Sequence, residues 1–184
     1  AHCWRNKRCG KIYSSRNLCS VGPKMNGQYD LEITRSMAYS DIPQVVEIEQ
    51  QVTFHPWTQN AFSESIKARD KCWVIEYDNQ VVAYLVQSIY TEESHILNLA
   101  VKSTRQGQGL GRGLVKKACT DAGKGGVMKI LLEVCAYNLI ARQLYESEGF
   151  LVFGRRNSYY RSGGRAEDAL VMERVLEPAS VMTQ

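Results

Sequence analysis

The chain has 184 residues, of which 44% are hydrophobic and 23% are charged, a composition typical of a single globular domain with its own core. It contains no run of 18 apolar residues, which excludes a membrane-spanning helix. The net charge of +4 comes from the N-terminal segment, because residues 1–24 hold six basic and no acidic side chains, which leaves 17 basic against 19 acidic elsewhere. We therefore expect the folded part to bind neither nucleic acid nor a membrane.

The first half of the periodic pattern predicts one strand, two helices and three further strands. Ser40 and Asp41 stand where a helix cap is needed, immediately before an apolar repeat of helical spacing. The pair Asp78-Asn79 separates two alternating apolar runs, which favours a hairpin. The predicted elements are a strand (29–36), two helices (40–52 and 58–69), two strands (within 72–90) and a third (94–102).

Helices and strands alternate in the second half. A helix from about Gly109 to Ala122 would place its apolar residues on one side. These residues are Leu110, Leu114, Val115, Ala118, Cys119 and Ala122. The pattern then predicts a strand (127–135), a helix (138–149) and two strands (150–156 and 167–175). This order predicts an α/β fold in which helices cover a central sheet.

The two ends of the chain lack this periodicity. Residues 1–28 are expected to form an extension outside the fold, either as a basic organelle-targeting segment or as sequence upstream of a start at Met25. Residues 29–176 are expected to form the one domain, and residues 177–184 a C-terminal tail.

The cysteines predict a reduced protein. No Cys-x-x-Cys pair occurs, so the spacing gives no support to a zinc site and we expect no metal. Cys72, Cys119 and Cys135 are scattered through the domain and are best interpreted as small buried apolar residues. Such cysteines are typical of a reducing compartment, and we expect a cytoplasmic protein.

A glycine-rich segment lies between a predicted strand and a predicted helix. Gly107, Gly109, Gly111 and Gly113 fall within seven residues. Glycines at a helix start let successive N–H groups point outward, where the helix dipole adds positive potential, and such a nest binds phosphate. The alternative is a glycine-rich turn without a ligand, but glycine in a helix costs up to ~1 kcal/mol relative to alanine.

The glycine spacing discriminates between kinds of phosphate site. No Lys-Ser or Lys-Thr follows at the distance a P-loop requires, and no register supplies the third glycine of a dinucleotide-binding fingerprint. The spacing that fits is Gln-x-x-Gly-x-Gly, formed by Gln106, Gly109 and Gly111.

With this loop and a second segment, "LEVCAYNLIARQLYESEGF", the sequence resembles the GNAT superfamily of N-acetyltransferases. The resemblance covers the whole domain and implies a mixed, mostly antiparallel sheet with a splayed parallel pair and helices on both faces. The segments "HPWTQNAF", "LNLAV", "RQGQGLGRG" and "RRNSYY…EDALVM" are similar to the bacterial ribosomal-protein-alanine N-acetyltransferases (RimI type). The chain departs from that pattern at Lys102-Ser103, where an acidic residue and proline are usual, and at Gly107, often an arginine.

The resemblance implies acetyl-CoA as the co-substrate. In the family, the loop cradles its pyrophosphate and the preceding strand pairs with the pantetheine amides. The residues implied to bind it are Leu99, Ala100, Val101, Gly107, Gln108, Gly109, Leu110, Gly111, Arg112 and Asn138. From the residues alone, Asn138 could equally cap the helix that it precedes.

The resemblance also implies two catalytic residues, Glu133 as general base and Tyr145 as the acid that protonates the leaving thiolate. Strand alternation puts Glu133 between Leu131 and Cys135, where partial shielding from water would favour its neutral form. Without the resemblance, a solvated strand glutamate and a tyrosine in the core are the alternatives.

The acceptor side is less strongly indicated. Trp57, Tyr159 and Tyr160 are candidate walls of a peptide groove, and Glu49 and Asp168 are candidate anchors for a basic acceptor. Core packing of the aromatic residues and solvation of the acids are the alternatives. His55 and His95 have no partner at a catalytic spacing and receive no role.

The expected function is acetyl transfer to the N-terminal α-amine of a protein, with the alanine of a small-subunit ribosomal protein as the implied acceptor. An α-amine has a pKa of about 7.7–8.0 against about 10.4 for lysine, so it needs only modest help from a base. Acetylation of a small amine or a lysine side chain, and a non-catalytic acyl-CoA-binding module, remain as alternatives.

Overall fold

The computed structural model describes residues 34–53, 56–162 and 165–176. The expectations for residues 1–28, for the start of the first strand, for His55 and for residues 177–184 lie outside these ranges.

The described elements follow the predicted order, with the two last strands longer than expected. The strands are β1 (Thr34–Ser36), β2 (Lys71–Tyr77), β3 (Gln80–Ile89), β4 (Glu93–Val101), β5 (Lys129–Cys135), β6 (Leu151–Ser162) and β7 (Arg165–Val175). The α-helices are α1 (Ile42–Val52), α2 (Gln59–Lys67), α3 (Leu110–Lys124) and α4 (Leu139–Ser147), with short 3-10 turns at Tyr39–Asp41 and Ser103–Arg105.

The strands form one sheet in the order β1-β2-β3-β4-β5-β7-β6. The pair β4–β5 is parallel, and the other five pairs are antiparallel. This mixed, mostly antiparallel sheet confirms the expected fold class. The β2–β3 hairpin turns at Asp78 and Asn79, with φ angles of 50° and 60°, in the left-handed region that a two-residue hairpin requires.

Helices cover both faces of the sheet. On the face called here the α1 face, α1 and α2 pack against apolar residues of β2, β3 and β4. On the opposite α3 face, α3 and α4 pack against the alternate residues of the central strands. All six apolar residues predicted for one side of α3 are buried in this second cluster. Burial of one stripe per helix therefore accounts for the layered architecture.

A β-bulge in β4 opens the sheet at its centre. Val86 is opposite Asn98 and Gln87 is opposite Ile96, so Leu97 is an extra residue in the ladder. The parallel pairing of β4 with β5 ends at Ile96↔Leu132, immediately before this bulge. Beyond that point β4 continues beside β3 and β5 continues beside β7. Since a bulge bends its strand and increases the twist, it accounts for the divergence of the two strands.

The predicted cap of α1 is only partly correct. Asp41 occupies the N-cap position, but its side chain makes no capping hydrogen bond. Its carboxylate instead accepts two hydrogen bonds from Arg35, at 2.6 and 2.9 Å, and one from the Ala38 N–H at 2.8 Å. The Arg35 guanidinium and the Ala38 N–H hold the pKa of Asp41 below its usual value despite burial. The Asp41 carboxylate thus pairs with Arg35 of β1 and does not accept a hydrogen bond from an N–H group of the first turn of α1.

Candidate active site

The glycine loop begins α3 with a left-handed backbone. Gly107 and Gly109 have φ angles of 74° and 86°, which side chains disfavour. Gly109 is the N-cap residue of α3 and makes no side-chain cap, so no side chain of its own covers the first-turn N–H groups. These are the donors that the sequence predicted for an anion.

The four positions of the loop differ in whether the structure requires glycine there. A Cβ at Gly111 would lie 3.4 Å from Leu144 Cδ2 and 3.6 Å from Val101 Cγ2, which are ordinary van der Waals contacts. A Cβ at Gly107 or Gly113 would meet nothing within 4 Å. Gly107 and Gly109 are therefore needed for backbone conformation, whereas neither conformation nor space requires glycine at Gly111 or Gly113.

Side chains of the motif hold the loop in place. Gln106 donates a hydrogen bond of 3.1 Å from Nε2 to the carbonyl oxygen of Val101, which ties the loop to the end of β4. The Arg112 guanidinium donates to Ser147 Oγ at 3.1 Å and lies 3.5 Å from Glu148 Oε1. The Arg112 side chain therefore has partners at the end of α4, and its contact with a phosphate stays a prediction.

The divergence of β4 from β5 exposes a strand edge beside this loop. Leu99, Ala100 and Val101 pair with Leu85, Tyr84 and Ala83 of β3. The register with β5 stops before these residues, so their other edge faces the opening. The Val101 carbonyl already accepts from Gln106. Other backbone N–H and C=O groups on such an edge need partners, and the amides of an extended ligand can provide them.

Glu133 lies on the opposite side of the opening, on the α1 face of β5. Its side chain is only 10% exposed, which argues against a solvated glutamate. Oε1 lies 3.0 Å from Nε of Arg156 but is not aligned for a hydrogen bond, and it has no hydrogen-bond partner among the described residues. A buried acceptor atom of this kind favours a donor that arrives with a ligand.

Asn138 and Tyr145, the other two site residues predicted in the segment that contains Glu133, lie next to and on α4. Asn138 caps α4, because its Oδ1 accepts a hydrogen bond of 3.2 Å from the Ala141 N–H. Tyr145 is buried on the α3 face against Phe150, with ring centroids 5.8 Å apart. Glu133 and Tyr145 therefore lie on opposite faces of β5. A single ligand can contact both only if it passes between β4 and β5.

Two predictions for the acceptor side are wrong. Glu49 is fully buried on α1 and receives three hydrogen bonds, from the Trp57 N–H at 3.1 Å, from Asn98 Nδ2 at 3.1 Å and from the Tyr84 hydroxyl. It therefore cannot serve as a surface anchor. The Trp57 ring is also buried and packs on Phe62 at 5.3 Å, so core packing accounts for it.

The remaining acceptor candidates lie at the far strands. Asp168 accepts a hydrogen bond of 2.9 Å from Arg155 Nε. Tyr159 is half-buried, with the Arg156 guanidinium carbon 5.4 Å from its ring centroid. The side chain of Tyr160 lies outside the described residues. His95 contacts Glu93 at 3.1 Å and stays without a catalytic role.

Three residues that contact Glu49 or Glu133 have polar groups that no sequence pattern indicated: Tyr84, Asn98 and Arg156. Burial raises the pKa of the Tyr84 phenol well above its ordinary value, and the charge of Glu49 raises it further, so the phenol stays a donor. The alternating pattern by itself predicts only that Tyr84 and Asn98 belong to apolar strands. Polar residues inside such strands were the available signal.

Among the described residues, no cluster of three or more His, Cys, Asp or Glu side chains has a geometry suited to a metal ion. Within the described ranges, every helix is too short or too polar to cross a membrane.

Comparisons with known proteins identify the family and the fold. The model of the acetyltransferase (GNAT) family matches residues 42–150. The [ribosomal protein bS18]-alanine N-acetyltransferase of Escherichia coli strain K12 is 32% identical over 137 residues, which cover 74% of this chain and 93% of that protein.

Solved structures share the fold. The crystal structure of the ribosomal-protein-S18-alanine N-acetyltransferase from Escherichia coli superposes with a TM-score of 0.75 at 30% identity, over 82% of this chain and 97% of that one. The structure of yncA from Salmonella typhimurium with its cofactor acetyl-CoA has a TM-score of 0.70 at 19% identity, over 78% and 93% of the two chains. The latter likeness concerns the fold alone.

Proposed function

Because the chain belongs to the GNAT family of acetyltransferases, we propose that it transfers the acetyl group of acetyl-CoA to the N-terminal α-amine of a protein. The acceptor in this proposal is the N-terminal alanine of a small-subunit ribosomal protein, as the name of the Escherichia coli relative suggests. Such an acceptor also implies a cytoplasmic enzyme.

The opening between β4 and β5 is the observation that carries the proposal. It runs from the uncapped start of α3 to Glu133, and its β4 edge is formed by Leu99, Ala100 and Val101. The backbone of residues 107–112 would hold a diphosphate, since the nest and the helix dipole favour an anion there. The edge of β4 would pair with the pantetheine amides, and Asn138, at the start of α4, would bind the pantetheine arm. Acetyl-CoA would supply an activated thioester.

Glu133 and Tyr145 would handle the protons. The amine must be neutral to attack, so a proton passes to Glu133 Oε1, directly or through one water molecule. Tyr145 would give a proton to the departing thiolate from the other side of β5. A phenol has a pKa near 10 and a thiol near 8.5, so close approach must supply part of the advantage. A backbone N–H of β4 would polarise the thioester carbonyl.

The test uses the full chain, acetyl-CoA and three acceptors in parallel. These are a peptide that begins with alanine, the same peptide with a blocked N-terminus and one internal lysine, and spermidine. Mass spectrometry should find one acetyl group on the free α-amine of the first peptide. Acetylation of the blocked peptide would indicate a lysine side chain as the acceptor, and acetylation of spermidine would indicate a small amine. Acetyl-CoA binding without turnover of any acceptor would favour the non-catalytic binding module.

A further inference from the structure

Two consecutive arginines of β6 point to opposite faces of the sheet. Arg156 is level with Ala169 of β7 and, through it, with Cys135 of β5, whereas Arg155 is one position away and pairs with Asp168. Arg156 therefore lies on the α1 face, where its Nε is 3.0 Å from Oε1 of Glu133.

Glu133 is buried, so the contact with Arg156 bears on the charge state of its carboxyl group. A carboxylate that is nine-tenths buried favours its neutral form, because burial removes the water that stabilises its charge. A neutral carboxyl group cannot take a proton from an amine. A cation at 3.0 Å favours the ionised form and offsets this effect.

The neighbouring ionisable groups have partners of their own. The ion pairs join Lys129 to Glu93 and to Glu173. The hydrogen bonds join Cys135 to Glu167, His95 to Glu93, and Tyr84 to Glu49. The Tyr159 ring lies beneath the Arg156 guanidinium. Within the described ranges, Arg156 is the cation in direct contact with Glu133.

The contact lies at the border between buried and exposed side chains. The Arg156 side chain is 43% exposed, whereas the Glu133 side chain is 10% exposed. Oε1 of Glu133 keeps an unused hydrogen-bonding position, because the ion pair is not aligned as a hydrogen bond.

We propose that Arg156 is a positioning residue that keeps Glu133 ionised and aimed into the opening between β4 and β5. This inference rests on the proposed function, since it assigns Arg156 a role only through a base at Glu133.

The first experiment measures kcat/KM against pH for the alanine peptide with saturating acetyl-CoA. The α-amine of the acceptor, with a pKa of about 7.7–8.0, contributes its own inflection, which should not move. The neutral variants Arg156→Gln and Arg156→Met should move the part of the acid limb below that inflection to higher pH by about one unit, the lower end of the range for opposite charges in contact, because Arg156 is partly exposed. Arg156→Lys should restore a limb close to that of the unmodified chain. The matched control Arg155→Gln removes a charge from the adjacent residue and should leave the acid limb in place.

A second measurement is independent of acetyl transfer. The pH titration of the Glu133 carboxyl carbon, followed by NMR in labelled protein, should show the same upward shift in Arg156→Gln or Arg156→Met, whichever is better folded. An unmoved titration in a folded neutral variant, or an equal shift in Arg155→Gln, would overturn the role of Arg156. Failure of the proposed function is distinguishable, because the unmodified chain would then acetylate no amine although the NMR titration could still be measured.

Discussion

Asn98 donates a hydrogen bond of 3.1 Å from Nδ2 to Oε1 of Glu49, which joins the residue after the β4 bulge to helix α1. The same carboxylate accepts from the Trp57 N–H and from the Tyr84 hydroxyl. A carboxylate that is fully buried and has three donors stabilises the fold only while all of them are present.

Removal of Glu49 should therefore be strongly destabilising. Glu49→Ala leaves three buried donors without their acceptor, and we expect a loss of at least about 3 kcal/mol in the free energy of unfolding. Urea denaturation measures it. The control Glu47→Ala changes an exposed glutamate of the same helix and should stay within about 0.5 kcal/mol. Equal effects of the two substitutions would contradict the importance of this buried cluster.

Glu133→Gln should lower kcat by about 10²–10⁴ and leave acetyl-CoA affinity unchanged, because the amide cannot act as a base. The loss should be greatest below about pH 7, where an α-amine of pKa about 7.7–8.0 is mostly protonated. Steady-state kinetics across pH and calorimetry with acetyl-CoA measure these two effects. Glu173→Gln, on the same face of β7, serves as the control. A variant with an unchanged pH profile would argue against the base.

Gly109→Val should weaken acetyl-CoA binding at least tenfold. A β-branched residue disfavours the φ angle of 86° at the N-cap, so the backbone that presents the first-turn N–H groups would shift. Calorimetric titration gives the affinity. Gly113→Ala is the matched control, because a Cβ there meets nothing within 4 Å and alanine is the better helix former. Equal affinities of the valine variant and the unmodified chain would rule out the phosphate cradle.

The Arg35–Asp41 pair should make stability depend on pH. Its lowered pKa means that Asp41 contributes stability above the unfolded pKa of about 3.9, and that this contribution is lost as pH falls through the folded pKa. Thermal denaturation from neutral to acidic pH should show a smaller decline in Asp41→Asn than in the unmodified chain. Asp70→Asn is a control at an aspartate outside this pair. Parallel declines in Asp41→Asn and the unmodified chain would indicate that the pair does not govern acid stability.

Local sequence determined the elements and their order. The six apolar residues of α3 recur at helical spacing and are all buried, and Asp78-Asn79 forms the predicted two-residue turn. These outcomes depend on side-chain period and on backbone conformations that neighbouring residues select. The glycine spacing and the segment around Glu133 also sufficed to indicate the family.

Only the tertiary structure decided how the polar side chains are used. Glu49 contacts Asn98 at a separation of 49 residues, and Arg156 reaches Glu133 from two strands away in the sheet. Periodicity indicates which face a residue occupies but not which residue lies opposite, because that depends on strand order and register. The one extra residue at Leu97 changes this register and opens the sheet at the point where the proposed site lies.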